Sequence, residues 1–300
     1  MLDLLFDTSF AASVPRFVTP ILLAALGGAL CERAGVFNIA LEGFLLAGAF
    51  AAVLGSYFTG SATAGALAAM VGGIAMGLVF AEFNLRRGGD SIVVSIAINL
   101  LAAGLTTYLL RAVFDVAGAF SDPAIVGFKG INIPVIGSIP WIGHVLSGQS
   151  ILFYIAVAVV PLMHLFLARH RLGLRMRAAG ENPQALAAGG VNPKRVQLWA
   201  LVGCGALCGL GGAQLSIANV NLFVENMSAG RGWIAVVAVL LTRGRPWPLF
   251  AIALIFGVVD SLSFRVQGLG MPQQFTDVMP YLATLIVLTA LSWWRKRNPA

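Results

Sequence analysis

The chain has 300 residues, of which 59% are hydrophobic and 10% are charged, with 19 Lys and Arg against 12 Asp and Glu. A soluble domain carries about 25% charged residues, so this composition excludes an ordinary globular protein and predicts a membrane protein. The formal charge of +7 would suggest nucleic-acid binding in a soluble chain. Here the basic residues fall between apolar runs, so we expect lipid around the chain and no nucleic-acid partner.

Apolar runs of membrane-spanning length follow one another along the sequence. They predict one all-α integral membrane domain over residues 1–300, built as a polytopic helical bundle. The nine predicted spans cover 14–32, 36–58, 62–83, 91–114, 150–168, 193–217, 230–242, 247–264 and 278–294. A tenth helix stays open at 1–13 or within 118–142. Three prolines in the latter (Pro123, Pro134 and Pro140) favour an outer loop or a re-entrant piece over a span.

The distribution of basic residues predicts the orientation of the spans. The C-terminus and the loops after predicted spans 1, 3, 5 and 7 together hold 14 of the 19 Lys and Arg residues. The positive-inside rule then places the N-terminus outside and the C-terminus in the cytoplasm. With this orientation, residues 169–195 form the largest cytoplasmic loop and residues 115–149 form a periplasmic loop.

The predicted cytoplasmic loop contains a short helix with clear boundaries. Asn182 is a favourable N-cap, and Pro183 suits the first helical position because no backbone N–H is needed there. "PQALAA" favours a helix of under two turns, and Gly189 with Gly190 ends it. We interpret this helix as a protrusion that docks on another protein. An ordinary loop with an isolated helical turn is the alternative.

Three stretches of the chain carry a resemblance to a known family. They are "ERAGVFNIALEGFLLAGAFAA" (32–52), "GLRMRAAGENPQALAAGGVNPKR" (173–195) and "GWIAVVAVLLTRGRPWPLFAIALIFGVVDSL" (232–262). The chain resembles the permease subunits of bacterial ATP-binding-cassette (ABC) importers, in the branch that serves branched-chain amino acids, simple sugars and nucleosides. Within this branch it looks most like the nucleoside-type permeases that work with a basic-membrane-protein-type binding lipoprotein.

The middle stretch is the most specific, and the resemblance implies that it forms the short cytoplasmic coupling helix that contacts an ATPase subunit. The residues that map onto this element are Arg177, Gly180, Glu181, Asn182, Pro183, Ala185, Ala188 and Gly189. Related permeases are often drawn with ten helices, whereas the apolar runs here predict nine.

The same resemblance implies the partners and the location of the chain. It predicts a subunit of the bacterial inner membrane that works with ABC ATPase subunits, a second and different homologous permease chain, and a periplasmic or lipid-tethered binding protein. The implied solute is a nucleoside, and a simple sugar is the nearest rival. A stand-alone secondary transporter or channel is an alternative of another class, which would use buried acidic residues for ion coupling.

The residues give no reason to expect catalysis or a cofactor in this chain. A Walker A loop needs Gly-Lys-Ser/Thr, but the three lysines (Lys129, Lys194 and Lys296) follow Phe, Pro and Arg. ATP and Mg²⁺ are therefore expected on a partner chain. Three cysteines and three histidines show no convincing metal-ligand spacing, so no metal site is predicted.

Polar residues inside the predicted spans are candidates for the translocation path, because such groups are costly in hydrocarbon. Ser91, Ser95 and Asn99 are spaced by four, and Thr106 follows seven residues later, which places all four on one face of span 4. They line a conduit or form hydrogen bonds between helices, and the sequence leaves both open.

Further path candidates are Asn38 and Glu42, four apart in span 2, together with Gln214 and Asp260. Glu42 lines the path or pairs with a cation such as Arg33. For Asp260, structural pairing is favoured. Gln214 follows a glycine-rich part of span 6 and is placed to reach a polar solute. The glycines predict close helix packing, which is also compatible with a bending gate.

Overall fold

The computed structural model describes residues 8–132 and 147–268, together with the single positions 279, 282 and 289. The predicted ninth span, 278–294, otherwise lies outside the described residues, as do residues 1–7. The helices are α1 Thr8–Arg33, α2 Leu41–Thr59, α3 Ala62–Ala81, α4 Ser91–Phe114, α5 Ile151–Arg169, α6 Arg171–Glu181, α7 Pro183–Ala188, α8 Pro193–Ala213, α9 Arg231–Thr242 and α10 Pro246–Gly268. Two π-helical turns, Glu82–Arg86 and Gln214–Ala218, continue α3 and α8.

The described part of the chain is mostly helical, and seven of its helices are long and apolar enough to cross a membrane. They are α1, α2, α3 with its π turn, α4, α5, α8 with its π turn, and α10. The chain therefore alternates between two ends of the bundle. We call the end that carries α6 and α7 the α7 end, and the opposite end the β end.

Three predicted spans differ from the structure. Helix α1 begins at Thr8, six residues before predicted span 1, so residues 8–13, where a tenth helix stayed open, belong to α1. The segment predicted as span 7 contains α9, which has 12 residues. At 1.5 Å per residue this helix is about 18 Å long, too short to cross a hydrocarbon core of about 30 Å. The helix of span 2 begins at Leu41 instead of residue 36. The side chain of Asn38 accepts a hydrogen bond from the Ala40 amide at 2.8 Å, and this local turn replaces the first helical turn.

Helices α1 and α8 form the centre of the bundle. Buried residues make up 83% of the apolar stretch of α1 and 72% of that of α8, but only 28% of that of α4. Small residues allow α8 to approach α2 and α3 closely. A Cβ atom on Gly205 would overlap the carbonyl group of Gly73, and one on Gly209 would overlap that of Ala69. The predicted close packing of this glycine-rich helix is what the structure shows.

The β end is closed by a pair of two-residue strands and by aromatic packing. Strand β1 (Ala119–Phe120) pairs antiparallel with strand β2 (Phe223–Val224). The rings of Phe114 and Phe120 stack with 3.8 Å between their centroids. The described residues 118–132 contain β1 and no helix, while residues 133–146 lie outside the described residues.

Candidate functional site

The polar face of α4 lies against the start of α2. The Asn99 side chain accepts from the Gly43 amide at 2.8 Å and donates to the Ile39 carbonyl at 3.1 Å. The Ser95 hydroxyl accepts from the Ile39 amide at 3.2 Å and donates to the Ser91 carbonyl at 2.7 Å. These bonds satisfy backbone groups that the late start of α2 leaves without helical partners. Two residues of the predicted stripe, Ser95 and Asn99, therefore form hydrogen bonds from α4 to the start of α2.

Glu42 lies in the first turn of α2 and joins this helix to α9. Its carboxylate is buried and accepts from the Gly230 amide at 2.8 Å and the Gly232 amide at 2.7 Å. Backbone amides at a helix start are unpaired within the helix and favour an anion, so Glu42 caps α9 from another part of the chain. Arg33, the suggested cationic partner, instead donates from Nε to the Gly244 carbonyl at 3.1 Å. Glu42 thus has a structural partner, but the partner is backbone.

Asp260 forms an ion pair in the interior of the bundle. Its Oδ2 atom lies 3.0 Å from Nε of Arg231, with both side chains less than one-fifth exposed. The guanidinium group of Arg231 also lies 5.9 Å from the centre of the Phe17 ring. This pair connects the start of α9 to α10, which agrees with the structural pairing favoured for Asp260.

Gln214 and Thr106 are also engaged within the chain. Gln214 is the first residue of the π turn after α8, and its side chain is buried. Its Oε1 accepts from the Ser150 hydroxyl at 2.6 Å, and its Nε2 donates to Asn219 Oδ1 at 2.9 Å. The Thr106 hydroxyl donates to the Ala102 carbonyl at 2.8 Å, within its own helix. The sequence did not single out Ser150 or Asn219, because Ser150 is the first residue of predicted span 5 and Asn219 lies two residues beyond the end of span 6.

Asn38 lies beside three buried thiols. Its side-chain amide lies 3.8 Å from the sulfur of Cys31 and 3.7 Å from that of Cys204, while Cys204 and Cys208 have sulfurs 3.9 Å apart. These contacts pack α1, the start of α2 and α8 together. Among the described residues, no group of three or more His, Cys, Asp or Glu side chains has a geometry that holds a metal ion.

A cavity of about 470 Å³ opens at the β end, beside the start of α9. Its polar groups are few, and aromatic and aliphatic side chains form the remaining wall, as in typical small-molecule sites. The lining residues are Ser13, Arg16, Phe17, Leu215, Asn219, Val220, Leu222, Val224, Met227, Arg231 and Phe264. The cavity therefore touches both the Gln214–Asn219 contact and the Arg231–Asp260 ion pair.

The opposite end carries the segment that the resemblance singles out. Asn182 caps α7 by accepting from the Ala185 amide at 2.9 Å, Pro183 is its first residue and Gly189 follows its last. These local predictions are confirmed. All residues of α7 are exposed except Leu186, which is half-buried against the core. The preceding helix α6 was not predicted from the sequence.

The α6–α7 segment contacts the connection between α1 and α2 through Gly180. A Cβ atom on Gly180 would lie 2.5 Å from the Arg33 carbonyl oxygen and 3.0 Å from the Gly35 nitrogen. Gly35 itself has φ of +73° and lies in the connection between α1 and α2. Arg177 and Glu181 on α6 form a weak ion pair, with 3.9 Å between Nη2 and Oε1. The remaining predicted coupling residue, Ala188, is exposed at the end of α7.

Comparison with known proteins places this arrangement in a family. The chain is 30% identical to a putative glucose ABC transporter permease, TsgC13, of Haloferax volcanii, over 94% of this chain and 92% of the relative. It is 31% identical to the guanosine ABC transporter permease NupQ of Bacillus subtilis, over 91% and 88% of the two chains. It is 32% identical to the nucleoside ABC transporter permease NupC of Lactococcus lactis, over 92% and 90%.

The family described as "Branched-chain amino acid transport system / permease component" matches residues 10–288. This match runs through every described membrane helix and through the α6–α7 segment. The chain therefore belongs to this family of transport-system permeases, and it is a membrane subunit of an ABC transporter and not an enzyme.

Proposed function

We propose that this chain forms half of the translocation path of an ATP-driven importer whose solute is a nucleoside. The observation that carries the proposal is the similarity to a guanosine permease and a nucleoside permease along nine-tenths of the chain. The cavity at the β end supports it. Aromatic side chains beside a few amide and guanidinium groups offer a base a stacking surface and offer its polar edge hydrogen bonds.

In this proposal residues 115–149 are periplasmic and residues 169–195 are cytoplasmic, with the N-terminus outside and the C-terminus in the cytoplasm. A periplasmic or lipid-tethered binding protein delivers the solute at the β end. ABC ATPase subunits bind ATP and Mg²⁺ and contact the α7 end. A second, homologous permease chain of the inner membrane encloses the other half of the path.

We infer that α7 acts as the coupling helix because it is exposed yet joined tightly to the bundle. Leu186 fixes α7 against the core, and Gly180 places α6 directly on the backbone of the α1–α2 connection. The residues after that connection are hydrogen-bonded to α4 through Asn99 and to α9 through Glu42. A displacement of α7 therefore reaches the membrane helices α1, α2 and α4 and the shorter helix α9 through backbone contacts and short hydrogen bonds.

The predicted path residues then act through the shape of the path wall. Each of the eight side chains forms a hydrogen bond or ion pair that fixes one helix, turn or loop of this chain. In this way each side chain determines the position of the path wall without contacting the solute. The residues concerned are Asn38, Glu42, Ser91, Ser95, Asn99, Thr106, Gln214 and Asp260. Direct contact with the solute is assigned to the open cavity at the β end.

A glucose-type solute is the second candidate, since the Haloferax volcanii relative named for glucose is 30% identical over 94% of the chain. Uptake of labelled guanosine by cells that express this chain with its partner subunits separates the two. We expect excess unlabelled nucleoside to abolish uptake and excess glucose to leave it unchanged. Uptake of labelled glucose without uptake of labelled guanosine would assign the chain to sugar transport.

The energy source is tested in the same cells. Uptake should persist when ion gradients are collapsed while ATP is maintained, and it should stop when ATP is depleted while the gradients are kept. Loss of uptake in the first condition alone would instead indicate a secondary transporter. An inactive ATPase partner serves as the control, because it leaves this chain unchanged.

A further inference from the structure

A second cavity, of about 310 Å³, lies at the α7 end between α1, α5, α6 and the start of α10. Three arginines from three different parts of the chain line it, namely Arg33, Arg177 and Arg245, and His164 lies beside them. None of its described lining residues is an Asp or a Glu. This concentration of positive charge sets it apart from the cavity at the β end.

The positive charge in this cavity is only partly compensated by the protein. Arg33 donates to a neutral carbonyl group, that of Gly244. Arg177 has a carboxylate neighbour, Glu181, but that side chain is 71% exposed and 3.9 Å away, so the pair contributes little. The Nε atom of Arg177 is buried and has no hydrogen-bond partner among the described residues. A buried N–H without a partner is costly, and a guanidinium group binds phosphate oxygens in two-point fashion.

The position of the cavity points to a lipid as the source of that phosphate. His164 and Leu167 belong to the last turns of the membrane helix α5, before its end at Arg169. Trp247 stands at the start of α10 and is half-exposed, as is typical of side chains at the lipid headgroup level. Next to His164, Leu165 of α5 is 49% exposed and offers apolar surface to an acyl chain.

We propose that this cavity binds the headgroup of an anionic phospholipid, with its phosphate held by Arg33, Arg177 and Arg245. Basic pockets between membrane helices on the cytoplasmic side suit such headgroups, and the proposal uses the orientation inferred above. The lipid would connect α6 to α1, α5 and α10 at the base of the coupling segment. Binding does not depend on the identity of the transported solute.

The test is native mass spectrometry of the full-length chain, purified with its transporter partners in detergent. We expect retained phosphatidylglycerol, and much less phosphatidylcholine when both lipids are supplied equally. Replacing Arg245 by Gln should lower phosphatidylglycerol retention about fivefold, as expected for the loss of one basic residue near a membrane surface. Arg243→Gln is the matched control, since Arg243 is exposed two residues away and does not line the cavity.

Four results would overturn the proposal. The first is equal retention of the two lipids, and the second is equal loss in the Arg243 and Arg245 variants. The third is stabilisation by inorganic phosphate alone, measured as a rise in melting temperature equal to that given by phosphatidylglycerol, which would make the site one for a free anion. Arg33→Gln supplies a second variant if the Arg245 variant does not assemble. The fourth is an Arg245→Gln variant that retains lipid normally but no longer binds the ATPase. This result would indicate that the cavity receives an acidic side chain of the partner.

Discussion

Glu42 and Gly232 are joined by a hydrogen bond of 2.7 Å, from the Gly232 amide to the buried carboxylate, although 190 residues separate them in the chain. Gly232 has no room for a side chain, because a Cβ atom there would overlap the backbone of Glu42. The start of α9 is thus held directly on the first turn of α2. This contact gives Glu42 a structural partner, one of the two roles that the sequence leaves open for it, although the partner is backbone and not a cation.

Replacing Glu42 by Ala should destabilise the protein, because two buried amides lose their acceptor. An unsatisfied buried donor costs about 1–3 kcal/mol, so we expect a lower melting temperature of the purified transporter and lower yield. Glu42→Gln keeps one acceptor oxygen and should lose less. If Glu42→Ala kept full thermal stability and lost only transport, Glu42 would instead belong to the solute path.

Replacing Gly205 by Ala should separate α8 from α3. A Cβ atom on Gly205 would lie 2.8 Å from the Cα atom of Ile74 and would overlap the Gly73 carbonyl. Overpacking of this kind costs about 1–3 kcal/mol, which a thermal melt in detergent measures. Gly104→Ala is the matched control, since nothing lies within 4 Å of that position. Equal stability of the two variants would contradict the close packing.

A charged side chain at Ala185 should uncouple ATP hydrolysis from transport. Ala185 is exposed on α7, so Ala185→Glu should leave membrane insertion and thermal stability unchanged. We expect solute uptake and stimulation of the ATPase by loaded binding protein to fall to background. Ala124→Glu places the same charge on an exposed position at the β end and should not affect stimulation. Normal uptake by the Ala185 variant would argue strongly against docking through α7.

The orientation can be tested with the native cysteines in place. Cys31, Cys204 and Cys208 are at most 1% exposed, so the unmodified chain should react poorly with a membrane-impermeant maleimide. In intact spheroplasts, Ala124→Cys should be labelled at once. Ala185→Cys should be labelled only after the membrane is permeabilised. Labelling of Ala185→Cys in sealed spheroplasts would reverse the proposed topology.

The features that could be predicted from the sequence are those that a few neighbouring residues determine. Asn182 and Pro183 define the start of α7, the first by local hydrogen bonding and the second by its fixed backbone geometry. Apolar runs long enough to span a membrane predicted seven of the helices. The contacts of Glu42 with α9 and of Gln214 with Ser150 could not be predicted, because these partners lie 64 to 190 residues away. Polar spacing predicted that these side chains share one face of α4, but it could not show that Ser95 and Asn99 meet the start of α2.

The prediction of a full span at 230–242 was wrong for a related reason. Residues 230–242 are as apolar as a membrane span. Hydropathy depends on composition, so it does not show how far a segment reaches into the membrane. Only the number of residues indicated that this segment differs from the other predicted spans, because it is too small for a full crossing.

The shortness of α9 also has a consequence for the backbone at its start. The helix is about 18 Å long, about 12 Å less than a hydrocarbon core of about 30 Å. Backbone that leaves a helix before it has crossed such a layer persists only where protein or water satisfies its polar groups. In this chain one carboxylate, that of Glu42, receives the Gly230 and Gly232 amides, so a single side chain of another helix insulates the beginning of α9 from its apolar surroundings.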